Sequence, residues 1–268
     1  MCSSLSSKTK QQGQVGACRM GPHLPLVGMA KEIERLNLAL EAGDPLLLLG
    51  PQGSGKTRLI TEALRLHRHV LYVGWQPTLH SLLVAMARAL IAARHAGFLR
   101  RTGAPLRPSD AEGWLAVQTS IHLKGLLWAA LEGSPVPIVL DGIAGAGFAT
   151  YRFLQRICHA PGMALFAVSR DAFSLGPLAR LFWNPAKMLN LPPLAEQDAE
   201  SLFEAAAGRF KLHHMDLDEF REKALESARG NPGQIIEMCR LAAQPQYHAG
   251  RYIKFSAVRI DTVMKFAP

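Results

Sequence analysis

The clearest chemistry in this sequence lies in one short stretch. Gly50-Pro51-Gln52-Gly53-Ser54-Gly55-Lys56-Thr57 matches the pattern G-x-x-x-x-G-K-[ST] at every fixed position. Glycines at these places let a backbone wrap a phosphate with its N–H groups pointing inward. A helix opening at Lys56 adds the positive end of its dipole to the same phosphates. Lys56 is then placed to reach the β- and γ-phosphates, and the Thr57 hydroxyl to ligate Mg2+. A chance glycine turn would show the same letters. The apolar run before it and the helical pattern after it argue against that.

A second group lies downstream. Val136-Pro137-Ile138-Val139-Leu140-Asp141 reads as an apolar strand ending in a carboxylate. A carboxylate at the end of a strand beside a phosphate loop holds Mg2+ through water. Many buried strands end in an Asp that merely caps the next turn, so the weight comes from the loop upstream. The next residue is Gly142, and no acidic residue occurs from Gly142 to Gln155. Without a base near a γ-phosphate, binding stays sound while hydrolysis slows. A third apolar run ends Ala167-Val168-Ser169-Arg170-Asp171. If its strand lies between the other two, Ser169 can orient water and Arg170 can contact a γ-phosphate. The same letters also fit a surface turn.

These residues need a scaffold, and the pattern supplies one. Lys31–Ala42 has the apolar spacing of a short amphipathic helix, ended by Gly43-Asp44-Pro45. Leu46–Leu49 is strand-sized and apolar throughout, as a strand covered on both faces must be. A helix is expected from Lys56 to about Leu66, a strand at Val70–Val73, and a helix at Leu79–Ala96. Phe98–Ala111 holds Gly, Pro and arginines and is expected to be an exposed loop. Arg94, Arg100, Arg101 and Arg107 make it the best candidate for contact with a polyanion, although such runs are more often simply a solvated face. Glu112–Leu131 reads as one helix, Val136–Leu140 as a strand, Tyr151–His159 as a helix, Ala164–Val168 as a strand and Met188–Leu191 as an edge strand. Strands alternating with helices imply a parallel sheet covered on both faces. After Leu194 only helices are expected: Glu196–Phe210, Asp216–Ala228 and Pro232–Ala243. Asp216 or Asp218 is a candidate cap for the second, and Pro232 suits the first turn of the third. Arg251–Phe266 alternates imperfectly and is expected to be an extended tail docked on the body.

Composition bounds the remaining classes. The chain has 268 residues, 49% hydrophobic and 19% charged, which excludes wholesale disorder. No apolar run reaches the roughly 18 residues a membrane span needs. Residues 1–21 are polar and aperiodic, and are expected to form a disordered leader without a secretory h-region. Cys2, Cys18, Cys158 and Cys239 form no CxxC pair or metal-ligand spacing, which suits reduced thiols in a cytoplasmic protein. The net charge of +9 permits contact with nucleic acid without demonstrating it. Trp75, Trp114, Trp128 and Trp183 are expected in core or interface positions. His67, His69, His80, His213 and His214 have no metal-binding spacing, so Mg2+ is expected only with nucleotide.

Taken in order, these motifs resemble the AAA+/STAND branch of P-loop ATPases, which includes origin-recognition-like and secretion-type members. The phosphate loop, then Asp141, then a strand ending Ser169-Arg170 carry the likeness. Leu26-Val27-Gly28-Met29-Ala30-Lys31-Glu32-Ile33-Glu34-Arg35-Leu36 resembles the segment that, in that family, packs near adenine; Met29 stands where an Arg is usual. Leu191-Pro192-Pro193-Leu194, followed by Glu196-Gln197-Asp198-Ala199, resembles the junction that opens a helical lid. Arg229-Gly230-Asn231-Pro232-Gly233-Gln234-Ile235 resembles a segment of that lid, with Gly233 where the family often has a sensor Arg. The Glu that the family often places after the strand-end Asp is Gly142 here. Both departures bear on hydrolysis. Arg180 lies near where a family arginine finger falls, although a surface arginine on an amphipathic helix is the plainer reading.

The resemblance and the residues together predict an α/β fold. A three-layer P-loop NTPase domain with a parallel sheet (22–194) would be followed by a small all-helical lid subdomain (195–245) and a C-terminal tail (246–268). The expected ligands are ATP and Mg2+. Gly50 to Thr57 would bind phosphates, Thr57 and Asp141 would hold the metal, and Ser169 or Arg170 would sense the γ-phosphate. The expected function is a Mg-ATP-dependent conformational switch with slow hydrolysis. The first alternative is a non-hydrolysing, nucleotide-gated module acting on DNA, a protein partner or a second copy of itself. A small-molecule kinase fits less well, because the lid is C-terminal and no acceptor site is evident.

Overall fold

The structure, a computed structural model, describes residues 24–66, 70–102, 108–133, 135–160 and 163–267. The expected leader at 1–21 lies outside these residues, as do Cys2, Cys18, His67, His69 and Arg107. The amphipathic helix ahead of the leucine run is α1 (Ala30–Ala42); its one fully buried side chain is Leu36, and Gly43 ends it in the left-handed conformation. Leu46–Leu49 is β1, buried at all four positions. The phosphate-loop sequence turns the chain into α2 (Lys56–Ala63), extended by a 3-10 turn at Leu64–Leu66. Then come β2 (Leu71–Gly74) and α3 (Leu79–Ala92), the latter opened by a Thr78–Ser81 capping box.

The arginine-bearing segment differs from expectation. It contains α4 (Ala96–Thr102), whose Phe98 is wholly buried and meets Trp114 edge-on at 6.3 Å. Burying one Phe outweighs the cost of two neighbouring arginines, because Arg100 and Arg101 keep their heads at the surface. The single helix expected over Glu112–Leu131 is two, α5 (Pro108–Ala116) and α6 (Ser120–Gly133). The break falls where the Thr119 hydroxyl accepts from the His122 N–H and starts a new helix.

The remaining strands alternate with helices: β3 (Ile138–Ile143), α7 (Phe148–Cys158), β4 (Leu165–Ser169), a kinked 3-10 segment over Phe173–Phe182 and β5 (Met188–Asn190). All pair in parallel, in the order β2-β3-β4-β1-β5, so β4 separates the phosphate-loop strand from the strand bearing Asp141. The edge position expected for Met188–Leu191 is observed. Strand alternation divides the core. Leu46, Leu48, Val139, Phe166 and Val168 face α1 and α2, while Leu47, Leu49, Leu140, Leu165 and Ala167 face α3 and α6.

After β5 the chain enters α8 (Glu196–Arg209), α9 (Asp218–Ala228) and α10 (Pro232–Ala242). Pro232 sits in the first turn of α10, with Asn231 as its side-chain cap. The caps expected at Asp216 or Asp218 are absent. Leu217 holds the cap position, and Asp218 acts from within the first turn on the helix dipole. The last segment is not an extended tail. A two-residue hairpin, β6 (His248–Ala249) and β7 (Tyr252–Ile253), leads into α11 (Phe255–Phe266). Val258 and Thr262, one helical turn apart, are its buried face. These helices enclose a core of their own, built on Leu202, Phe203, Phe220, Ile235, Met238 and Val258. Cys158 ends α7 and Cys239 lies on α10, and burial pushes both thiols up to about 12. Among the described residues no single helix is long and apolar enough to cross a membrane.

Candidate functional site

The sheet delivers its chemistry at one edge. β1 ends at Leu49, the loop follows, and Gly55 caps α2 in the left-handed conformation that a side chain resists. Lys56 folds back over the loop. Its Nζ donates to the carbonyls of Gly50 at 2.6 Å and Pro51 at 2.8 Å, and to Ser54 Oγ at 3.4 Å. Burial pulls the Lys56 ammonium below the usual lysine range; Asp141 opposes that shift and Arg170 adds to it.

Asp141 lies in β3, two residues before its end, on the α2 side of the sheet. Thr57 Oγ1 donates to its Oδ2 at 2.8 Å, and the Tyr72 phenol donates to the same oxygen. A threonine hydroxyl touching a carboxylate on β3, one strand removed from β1, is the donor set that Mg2+ takes beside a phosphate, so Thr57 and Asp141 fit the metal. Gly142, the residue after it, has φ +79° and sits where the β3–β4 register shifts between Leu140 and Ile143. That left-handed backbone disfavours any side chain, which accounts locally for the missing Glu.

Ser169 and Arg170 part company. Ser169 falls on the opposite face of the sheet from Thr57 and Asp141, by the alternation that sends Leu165 and Ala167 there. It is 1% exposed, and its hydroxyl donates to the carbonyls of Ile143 at 2.9 Å and Asp171 at 3.0 Å. The expectation that Ser169 orients water is therefore corrected: the hydroxyl ties β4 to the irregular end of β3. Arg170 follows the strand and turns to the loop, where its Nη2 donates to Gln52 Oε1 at 2.7 Å. Asp171 accepts from the Ser174 backbone and hydroxyl, and these bonds hold its carboxyl below the usual range. Arg180 lies over the Phe148 ring, 5.7 Å from its centroid.

The helical unit also reaches the loop, through the Arg229–Ile235 segment whose letters resemble that of a lid. Asn231 Nδ2 donates to the Gln52 carbonyl at 2.9 Å, and the Gly233 N–H to the Gly53 carbonyl at 2.9 Å. A Cβ on Gly233 would lie 2.6 Å from Gly53 Cα, so this approach requires glycine. A Cβ on Gly53 would meet the Phe266 ring at 2.5 Å, and Gln52 Nε2 donates to the Lys265 carbonyl at 3.4 Å. Beside the loop opens a cavity of about 310 Å3, lined by Leu26, Val27, Met29, Leu194, Leu202 and Ile236 among others. Its apolar walls next to a phosphate cradle suit a nucleobase. Met29, in place of an Arg, is buried against it.

Sequence comparison finds the AAA ATPase domain over residues 25–168. Among curated proteins none matches the sequence. Among solved structures, a Walker-type ATPase of Pyrococcus abyssi superposes with TM-score 0.59 at 15% identity, covering 90% of this chain and 72% of that one. A Signal Transduction ATPase with Numerous Domains protein from Pyrococcus horikoshii, carrying a tetratricopeptide repeat sensor, gives TM-score 0.51 at 16% identity. It is covered over 32% of its length by 90% of this chain. A point mutant of RuvB from Thermotoga maritima gives TM-score 0.51 at 16% identity, with 90% and 71% covered. At these identities the likeness is one of fold.

Proposed function

The chain belongs to the AAA ATPase domain family, a fold that binds ATP, and from that premise we propose that it is a Mg-ATP-dependent conformational switch. The observation that carries this reading is the convergence of Asn231, Gly233 and Phe266 on Gln52 and Gly53. Residues 195–245 then act as a lid on a nucleotide-binding unit spanning 22–194. Whatever occupies the loop is felt directly by the lid, and a ligand with different contacts in the two arrangements shifts their populations.

The roles follow from position. Gly50 to Thr57 wrap the phosphates, and Lys56 leaves the Gly50 and Pro51 carbonyls for the β- and γ-phosphate oxygens. Thr57 and Asp141 hold Mg2+, which when bound neutralises charge between the phosphates. Arg170 breaks with Gln52 and pairs with the γ-phosphate. Gly142 leaves no carboxylate at the usual place for polarising water, so hydrolysis is slow. The same glycine favours a second reading, in which ATP is held without turnover and the protein acts through a protein partner or nucleic acid.

ATP affinity by calorimetry, beside steady-state phosphate release, tests the proposal. Wild type is expected to bind Mg-ATP. Lys56→Ala should lose that binding by at least about tenfold, since a charge-assisted bond contributes roughly 1.5–3 kcal/mol. Unchanged affinity in Lys56→Ala would overturn the assignment. Phosphate release lost in both Lys56→Ala and Asp141→Ala would favour the switch with turnover, and its absence in wild type the second reading.

A further inference from the structure

Two hydroxyls meet on one oxygen of Asp141. Thr57 comes from the phosphate-loop helix, and Tyr72 from β2, an edge strand three places from β1 in the sheet order. The register explains how Tyr72 arrives. It pairs across the ladder with Val139, two residues before Asp141 and on the same face. A tyrosine ring spans the diagonal to the next residue on that face, so the phenol ends at the carboxylate. The ring is half-buried against the core cluster beneath α2 that includes Val139, Leu59 and Ile60.

From this geometry, and resting on the reading of Asp141 as the metal carboxylate, we infer that Tyr72 is the positioning residue for Mg2+ binding. Its phenol fixes Oδ2 and with it the plane of the carboxylate. Thr57 can then keep donating its proton to Asp141 while its oxygen lone pairs face the metal. Without the phenol, the carboxylate rotates about its terminal torsion, which is intrinsically broad, and binding Mg2+ must first restrict it. Partners of metal ligands at this remove typically contribute 10- to 100-fold in metal affinity.

The experiment titrates Mg2+ against fixed ATP and protein, reading nucleotide binding by calorimetry, for wild type, Tyr72→Phe, Asp141→Asn and the double variant. Tyr72→Phe keeps the packed ring. It is expected to raise the half-saturating Mg2+ concentration about tenfold, with ATP affinity in EDTA unchanged. In the Asp141→Asn background, Tyr72→Phe should add nothing further, because the carboxylate that the phenol positions for the metal is already gone. A Tyr72→Phe titration that overlays wild type, while Asp141→Asn shifts it, overturns the inference alone. An Asp141→Asn titration that overlays wild type overturns the reading of Asp141 and the inference together. Equal losses with and without Mg2+ in Tyr72→Phe show a merely structural role, and also overturn it.

Discussion

Adjacent residues at the end of β4 do different work, and the phase of the strand decides which. Ser169 points into the core on the α3 side and satisfies two carbonyls, whereas Arg170 clears the sheet and reaches Gln52. Ser169→Ala is expected to strand buried carbonyls, at about 1–3 kcal/mol, lowering Tm by roughly 3–10 °C while ATP affinity stays within about twofold. Arg170→Ala should do the reverse, weakening ATP about tenfold with little change in Tm. Melting curves and calorimetry on the pair decide it; ATP binding lost with Ser169 and kept without Arg170 sinks the assignment. All of the phosphate loop and Asp141 were legible in the sequence, because their spacing along the chain is itself the signal. The role of Ser169 was not, since its acceptor is a carbonyl at the irregular end of β3, and nothing along the chain says that β4 lies beside β3. Nor was Tyr72, because nothing along the chain says that β2 pairs with β3.

The helices most easily misread are those that depend on distant surfaces. α4 was hidden by its arginines, and α11 by an imperfect alternation that resembled extended chain. Each is anchored by a few apolar residues, Phe98 in one and Val258 in the other, whose partners lie far off in sequence. α11 is also tied by charge: Lys265 Nζ meets Glu237 Oε2 at 2.8 Å, and Arg240 grips the same carboxylate through both of its oxygens. The Arg240 bonds, then Lys265, hold the Glu237 carboxyl down at about 2 from the ordinary 4.5. A depressed folded pKa gives stability that is present above the unfolded value and lost as the carboxyl takes a proton. Protection of α11 in hydrogen exchange should therefore be complete above pH 4.5 and decline toward pH 2. Glu237→Gln should loosen α11 already at neutral pH and flatten that decline. An unchanged pH profile in Glu237→Gln would show that the ion pairs do not hold the helix.

At the scale of the molecule, two bodies of core meet over one loop. The sheet buries a cluster on each face, the helical unit encloses its own, and Gln52 and Gly53 lie at the seam. The sequence made the two-part architecture readable, since alternating strands and helices give way to helices alone after Leu194. It could not show how close the parts come, because that closeness rests on Gly233 fitting against Gly53 and on the end of α11, neither of which has a local signature. On the proposed switch, the lid reads the loop. Hydrogen–deuterium exchange with and without Mg-ATP, in wild type and Lys56→Ala, measures this most directly. In wild type, Mg-ATP is expected to protect Gly50–Thr57 and at the same time to change exchange at Asn231–Gly233 and at the end of α11, with neither change in Lys56→Ala. Protection confined to the loop, with the lid and α11 exchanging as before, would contradict it.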